Sequence, residues 1–389
     1  MTTPSPAAPS PEALAWAQRL VRFNTVSERS NLELIECIAD HLHTLGVEPR
    51  LTWDDERRKA NLVATLGAGK PAGVVLSGHT DTVPWDGQDW RFDPLGGEVR
   101  DGRLYGRGSA DMKGWIGIAV AQARAFLEAD LPHAIHYAFS YDEEVGGFGA
   151  RRLIADLQAA GLAPTHCIVG EPTGMVPAVA HKGVHRWRCC IRGKAAHSSL
   201  TPTSVNAVEA GARLVAHIAD MADRWRDHGP FQPGFDVPYT TAATCVMHGG
   251  IADNVVPEEC RVHYEFRNLP GTDEEAMQQA VLERAAQLEA PMRAVEPTAG
   301  FNFESFASMP AFQAPPGDPA VALAQRLAGS AQTALVAFGT EAGLFQRAGI
   351  PTVICGPGSI AQAHQADEYV SLEQLAACER FLRGLMQPA

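Results

Sequence analysis

Two histidines and five carboxylates stand where apolar runs of the chain end. His79 and Asp81 close the run in VVLSGHTDTVPW, and Asp111 follows the glycine-rich turn in LYGRGSADMKG. Glu143 and Glu144 end FSYDEEVGG, Glu171 ends CIVGEPTG, and His364 lies in AQAHQADEY after a Gly-Pro-Gly turn. Imidazole nitrogens and carboxylate oxygens brought together make a pocket for divalent ions of the zinc type. A carboxylate left over beside such ions can serve as a base, so the set points to metal-assisted hydrolysis.

Taken singly, each residue has an ordinary reading as well. His79 and Asp81 are two apart on an extended segment, so their side chains share a face. Asp81 can then hold the second ring nitrogen of His79 and fix its tautomer. Asp111 also reads as an N-cap for the helix after it. Glu143 and Glu144, beside Gly146 and Gly147, also read as surface carboxylates. Glu171 reads as a turn cap and His364 as a solvated loop residue. The joint order separates the set from these readings. Each residue follows a strand, and open α/β sheets place their sites beyond the strand ends.

The elements that must position these residues alternate. Ser10-Pro11-Glu12 is a cap, first-turn proline and dipole-matching acid that open a helix through Phe23. Leu32, Ile35, Ile38, Leu42 and Leu45 recur at helical spacing, and Gly46 stops that helix. Strands are expected over 60–66, 74–77, 135–140 and 167–169, with helices over 115–127 and 150–160. This order predicts an α/β fold with helices on both faces of a sheet. After Gly183 the texture changes to strand 187–192, helix 206–221, strands 240–247 and 261–266, and helix 272–288. That order predicts a small inserted α+β domain. The αβ pattern resumes near Pro319 with a helix, a strand ending at Phe338, a helix from Glu341 and a strand over 352–355. The expected domains are 1–183 with 300–389, and 184–299.

A chain of 389 residues with 46% hydrophobic residues suits two packed cores. A formal charge of -13 argues against nucleic acid and anionic membrane partners. The eight cysteines form no CxxC pair and read as reduced thiols, with Cys189 and Cys190 on opposite faces of a strand. The N-terminal MTTPSPAAPSPE lacks the basic and apolar regions of a signal peptide, and its Pro/Ala/Ser stretch is expected to fray. No apolar run reaches the roughly 18 residues of a membrane helix, so the cytoplasm is the expected location.

The segments SGHTDTVPW, LYGRGSADMKG, DEEVGG, GEPT, HKG, GKAAHSS, RNLPG and GPGSIAQAHQADEYV together resemble the M20 metallopeptidase family, from about Leu14 to the C-terminus. AHKG, NAVEAGARL, FDVPYTT, HGGIADNVVP and GTEAGLF resemble its amino-acid deacetylase branch. The resemblance implies a zinc-exopeptidase-like catalytic domain, with a mostly parallel central sheet flanked by helices, and an inserted dimerisation or lid domain. It implies two divalent ions, zinc first and cobalt as the alternative, bridged by Asp111. His79 and Glu171 would hold one, and Glu144 and His364 the other. Glu143 would be the general base, with Asp81 also in the catalytic set. His197 in GKAAHSS would donate to the oxyanion, usually in a partner subunit's site, so a homodimer is implied. By composition alone, His197 is an exposed loop residue.

Substrate binding is implied for Arg267 in EFRNLPG, whose planar fork suits a carboxylate, and for Asn254. Arg267 also reads as one member of a strand-edge salt bridge. The family's usual aspartate two residues before that arginine is Glu265 here. Related desuccinylases carry G-T-S-D-G-R-F where this chain has Gly339-Thr340-Glu341-Ala342-Gly343-Leu344-Phe345. Glu341 is expected to face the side-chain ammonium of ornithine, or else to be a helix N-terminal acid. The implied reaction is hydrolysis of N-acetyl-L-ornithine to ornithine and acetate, a step of arginine biosynthesis. A related deacylase, such as a succinyl-diaminopimelate desuccinylase or an aminoacylase, is the alternative. A non-catalytic metal-binding protein is the third reading, and Glu143 with His197 speaks against it, because neither is needed merely to hold metal.

Overall fold

In the computed structural model, which describes residues 8–67, 69–70 and 73–387, the strands Val74–His79 and Ile135–Ser140 are buried at every position. Runs rich in apolar residues, with few polar interruptions, are what strands covered on both faces require. The residues of the N-terminal stretch up to 7 lie outside the described residues. Among the described residues, no helix is long and apolar enough to cross a membrane.

The chain forms two units. The first comprises Met1–Ala180, Phe312–Val336 and Thr340–Ala389. Its sheet runs, in spatial order, Arg50–Trp53, Ala60–Leu66, Ile135–Ser140, Val74–His79, His166–Pro172, Thr352–Gly356, Ala178–His181 and Phe312–Gln313, and Ala334–Val336 pairs with Ala178–His181. The four central strands, from Ile135–Ser140 to Thr352–Gly356, are mutually parallel, while Ala60–Leu66 pairs antiparallel with Arg50–Trp53 and Ile135–Ser140, and Ala178–His181 antiparallel with Thr352–Gly356. The expected α/β class with a mostly parallel centre is what forms. Val74–His79 comes first of the four in the chain, and its successors lie on opposite sides of it. The strand order therefore reverses between Val74–His79 and His166–Pro172, the place where such sheets open a crevice at their C-terminal edge.

Helices Pro11–Val21, Lys113–Ala121, Pro319–Ala328 and Leu372–Arg383 join one core with the sheet, including Leu20, Trp115, Ile116, Ala324 and Phe381. Pro11–Val21 opens as expected, with Ser10 as its cap and Pro11 in the first turn. It lies so close to Lys113–Ala121 that a Cβ on Gly117 would come within 2.6 Å of the Ala17 backbone. Trp115 packs against both Val74–His79 and His166–Pro172, donates its indole N–H to the Ser77 carbonyl at 3.0 Å, and leaves no room for a side chain at Gly170. A Cβ there would meet the ring at 2.1 Å. The expected helix over 115–127 is two helices that meet at Gln122. A three-stranded sheet, Tyr369–Ser371 with Arg103–Tyr105 and Glu98–Arg100, was not expected from the sequence.

The second unit comprises His181–Ala311 and Ala337–Gly339. Its antiparallel sheet is ordered Thr241–Gly249, Glu259–Arg267, Val184–Arg192 and Gly300–Met309. Glu259–Arg267 alternates, with Cys260, Val262, Tyr264 and Phe266 turned into the core. That core is closed by two helices, Ala207–His228 and Glu274–Val295, capped by Asn206 and Asp273. Such alternation is the mark of a sheet wetted on one face. Cys189 is buried and Cys190 exposed, on opposite faces as expected. The inserted segment extends past the expected boundary at 300. Gly300–Met309 pairs with Val184–Arg192 as an edge strand of this sheet, so the first unit resumes only at Phe312.

Candidate metal centre

His79 is the last residue of Val74–His79 and is 1% exposed. Its Nδ1 lies 3.0 Å from the Asp81 carbonyl oxygen. A carbonyl only accepts, so Nδ1 carries the proton in the neutral ring and Nε2 presents its lone pair. That nitrogen points to Asp111 Oδ1 at 2.9 Å and lies 3.7 Å from Glu171 Oε1. Asp81 therefore fixes the tautomer through its carbonyl. Its carboxylate, 3.6 Å from Nδ1, is beyond hydrogen-bond range and has other work. It accepts from the Ser27 hydroxyl at 2.7 Å and from the backbone N–H groups of Glu143 at 3.1 Å and Glu144 at 3.3 Å. Asp81 thus ties the end of one strand to the turn that follows its neighbour.

Asp111 sits in the turn before Lys113–Ala121, and Lys113 is buried with its ammonium on the Phe23 carbonyl at 2.8 Å. The two oxygens of Asp111 face two imidazoles. Oδ1 faces His79, and Oδ2 lies 3.3 Å from His364 Nε2. The same His364 nitrogen is 3.1 Å from Glu144 Oε1. Donor atoms of His79, Glu143 and Glu171 lie within 4.8 Å of one another, as do those of His79, Asp111 and Glu144. Glu143 is therefore as close to His79 and Glu171 as a ligand would be.

The electrostatics match a cation pocket. Burial pushes the carboxyl of Glu171 well up, and the nearby Asp111 charge adds to this. Burial also raises Glu143, opposed by His79 and reinforced by Glu144, Glu341 and Asp111. Burial works against a charged His79, but the carboxylates of Asp111, Asp81 and Glu171 outweigh it and hold the imidazole well above its usual range. His364 is likewise pushed up to about 10, by Asp111 and Glu144 against burial. Four carboxylates and two imidazoles facing inward fit divalent ions, because bound cations relieve the mutual repulsion and displace the imidazole protons.

Glu341 is near this cluster but differs from expectation. It is 1% exposed, and its carboxylate accepts from the Ser77 hydroxyl at 2.9 Å and from the Ser140 hydroxyl. Ser77 and Ser140 belong to two of the central strands, so Glu341 is fastened to the sheet through both hydroxyls. It does precede the helix Ala342–Arg347, without capping it through its side chain.

The remaining expected residues lie in the second unit. His197 is exposed and opens the short turn Ser198–Thr203. Its Nδ1 accepts from the Ser199 backbone N–H at 3.2 Å, so the proton of the neutral ring is on Nε2. The Ser198 N–H donates to the Asn254 carbonyl at 2.9 Å, which brings Asn254 beside His197. Arg267 is paired with Glu265, Nε to Oε1 at 3.1 Å, and Glu265 also holds Arg186. This is the salt-bridge reading of Arg267. Sequence reasoning did not single out Ser27, Gln88, Arg107, Lys113 or Glu368. The cue for Arg107 and Lys113 was a charge inside a run of small and apolar residues, GRGSADMKG.

The sequence pattern described as Peptidase family M20/M25/M40 matches residues 75–387. An acetylornithine deacetylase of Proteus mirabilis (strain HI4320) is 35% identical over 363 residues, covering 93% of this chain and 91% of its own. The M20 family metallo-carboxypeptidase Sso-CP2 of Sulfolobus solfataricus superposes with a TM-score of 0.77 at 14% identity, covering 96% of this chain and 98% of that one. The YXEP protein of Bacillus subtilis, described as a dinuclear metal binding peptidase from the M20 family, superposes with a TM-score of 0.64 at 16% identity over 96% of each chain. The match along the chain, the shared fold and the clustered imidazoles and carboxylates agree: this chain belongs to the peptidase family M20/M25/M40, whose members are hydrolases.

Proposed function

We propose that the chain is a two-metal deacylase that hydrolyses N-acetyl-L-ornithine to ornithine and acetate, in the cytoplasm, as a step of arginine biosynthesis. One observation carries the two-metal part: Asp111 stands between two imidazoles with one oxygen toward each. His79 and Glu171 would hold one ion, Glu144 and His364 the other, and Asp111 both. The imidazole and carboxylate donors suit zinc, with cobalt as the alternative. Bound ions would polarise the amide carbonyl and acidify water. The substrate part rests on the curated relatives named acetylornithine deacetylase.

Glu143 takes the proton of the attacking water and passes it to the leaving amine, a role that its raised carboxyl suits. Asp81 acts through position, holding the ring of His79 and the backbone of Glu143. His197 donates from Nε2–H to the oxyanion, and Arg267 and Asn254 bind the substrate in this reading. The chain would work as a homodimer through the inserted unit.

A related M20 deacylase is the alternative, and the serine hydroxyls that occupy the Glu341 carboxylate are the observation that favours it. Hydrolysis of N-α-acetyl-L-ornithine, N-succinyl-L,L-diaminopimelate and N-acetyl-L-methionine, after chelation and with zinc or cobalt restored, separates the readings. Metal-dependent preference for acetylornithine supports the proposal. Preference for another of the three keeps the chemistry and changes the substrate. Bound metal with no turnover points to the non-catalytic reading.

A further inference from the structure

Arg107 and Glu368 form an ion pair at 2.7 Å in which each residue is 1% exposed. Neither belongs to the ligand set. A buried pair of this kind is weak evidence for stability, since desolvating two charges offsets their attraction. Its partners show what it does. The second oxygen of Glu368 accepts from two successive backbone N–H groups, Ala110 at 3.0 Å and Asp111 at 3.1 Å. The far side of the Arg107 guanidinium donates to Gln88 Oε1 at 2.6 Å. Gln88 in turn donates from Nε2 to the His364 carbonyl at 2.8 Å. An unbroken chain of hydrogen bonds thus runs from the backbone of Asp111 through Glu368, Arg107 and Gln88 to the backbone of His364.

The small sheet closes this chain into a ring. Tyr105 is registered against Tyr369, and the Gly106 N–H donates to the Glu368 carbonyl at 2.9 Å. The loop between needs such support. His364 has φ +60° and Asp367 φ +55°, left-handed conformations that non-glycine residues keep only where their surroundings hold them. Asp367 is held by the N–H groups of Arg91 at 2.8 Å and Phe92 at 3.2 Å, in the same segment that carries Gln88. Nothing comparable is needed at His79 and Glu171, which sit on paired strands.

We propose that Gln88, Arg107 and Glu368 are positioning residues that set the spacing between Asp111 and His364. They thereby set the affinity of the metal position formed by Asp111, Glu144 and His364, and leave the position formed by His79 and Glu171 to the sheet. This rests on the two-metal reading above.

The test is a titration of the metal-free full-length protein with cobalt(II), followed by visible absorption, for the parent, Gln88→Ala and Glu368→Gln. Gln88 is exposed, so Gln88→Ala tests the idea even where Glu368→Gln fails to fold. In Gln88→Ala one equivalent should bind as in the parent and the other about ten- to a hundredfold more weakly. The kcat at limiting cobalt should drop and return at saturating cobalt, which a purely structural lesion would not do. Glu368→Gln, if folded, should show the larger loss at the same position. A parent binding two equivalents with Gln88→Ala unchanged, or with both equivalents weakened alike, overturns the positioning role alone. A parent that takes fewer than two equivalents overturns the two-metal reading, and this inference with it.

Discussion

His79 and Glu171 come from neighbouring parallel strands and are 1% and 3% exposed, whereas Glu144 and His364 come from turns and the His364 side chain is 43% exposed. The two halves of the centre meet at Asp111. In the first half the backbone ladder of the sheet places the two side chains, and Trp115 packs against Gly170 beneath them. In the second half side chains do the placing, through Asp81 under Glu144 and through Glu368, Arg107 and Gln88 behind His364. The first half is therefore closed, and the second is open to solvent at His364. A hydrolase needs both properties, because ions must be held while water and substrate reach them.

Removing the shared ligand should have the largest effect. Asp111→Ala should lose both metal equivalents at concentrations that load the parent, with activity falling to background, as metal analysis and an amidase assay would show. Retention of one full equivalent would mean that the halves do not share Asp111. Glu143→Gln should come next, lowering kcat by about 10²- to 10⁴-fold while both equivalents stay bound. Loss of metal from that variant would place Glu143 with the ligands of the strand-held half.

Proton competition should be a smaller but graded effect. In the metal-free protein the imidazoles are raised, His364 to about 10. An ion must displace those protons, so affinity should rise with pH by about tenfold per unit for each proton released, across the range from about 6.5 to about 10. Stability of the metal-free protein has the opposite sign. The favourable contacts of a charged His364 are fully present below its unfolded pKa, near 6.5, and fade as pH rises through about 10, with exposure weakening them further. Titrations with pH-indicator dyes, with melting curves beside them, would show both trends. A pH-independent affinity would break this account. The smallest effect should come from Ser27→Ala, which removes one hydrogen bond from Asp81. About 1 kcal/mol of stability and a few-fold loss of kcat are expected. An unchanged enzyme would show that Asp81 holds the glutamate turn without Ser27.

The clustering of His79, Asp111, Glu144, Glu171 and His364 was legible because metal chemistry restricts residue types and because strand ends are marked by the close of apolar runs, as at His79 and Glu171. The buried central strands and the alternating Glu259–Arg267 were legible for the same reason of periodicity. The edge strand Gly300–Met309 was not, since an edge carries no continuous apolar run to mark it. Glu341 shows a different limit. Its place at the start of a helix was readable, but the side to which its carboxylate turns depends on Ser77 and Ser140, which are 264 and 201 residues away along the chain.

The sequence by itself determined which imidazoles and carboxylates stand where apolar runs end, and that a second α+β unit interrupts the first. Only the tertiary structure decided which atom of Asp81 meets His79, that Glu341 is buried, and that Arg107 and Glu368 join the loops of Asp111 and His364. The physical reason is reach. Residue type and local period act over a few positions, whereas these contacts follow from strand order and register, which bring together groups far apart in the chain.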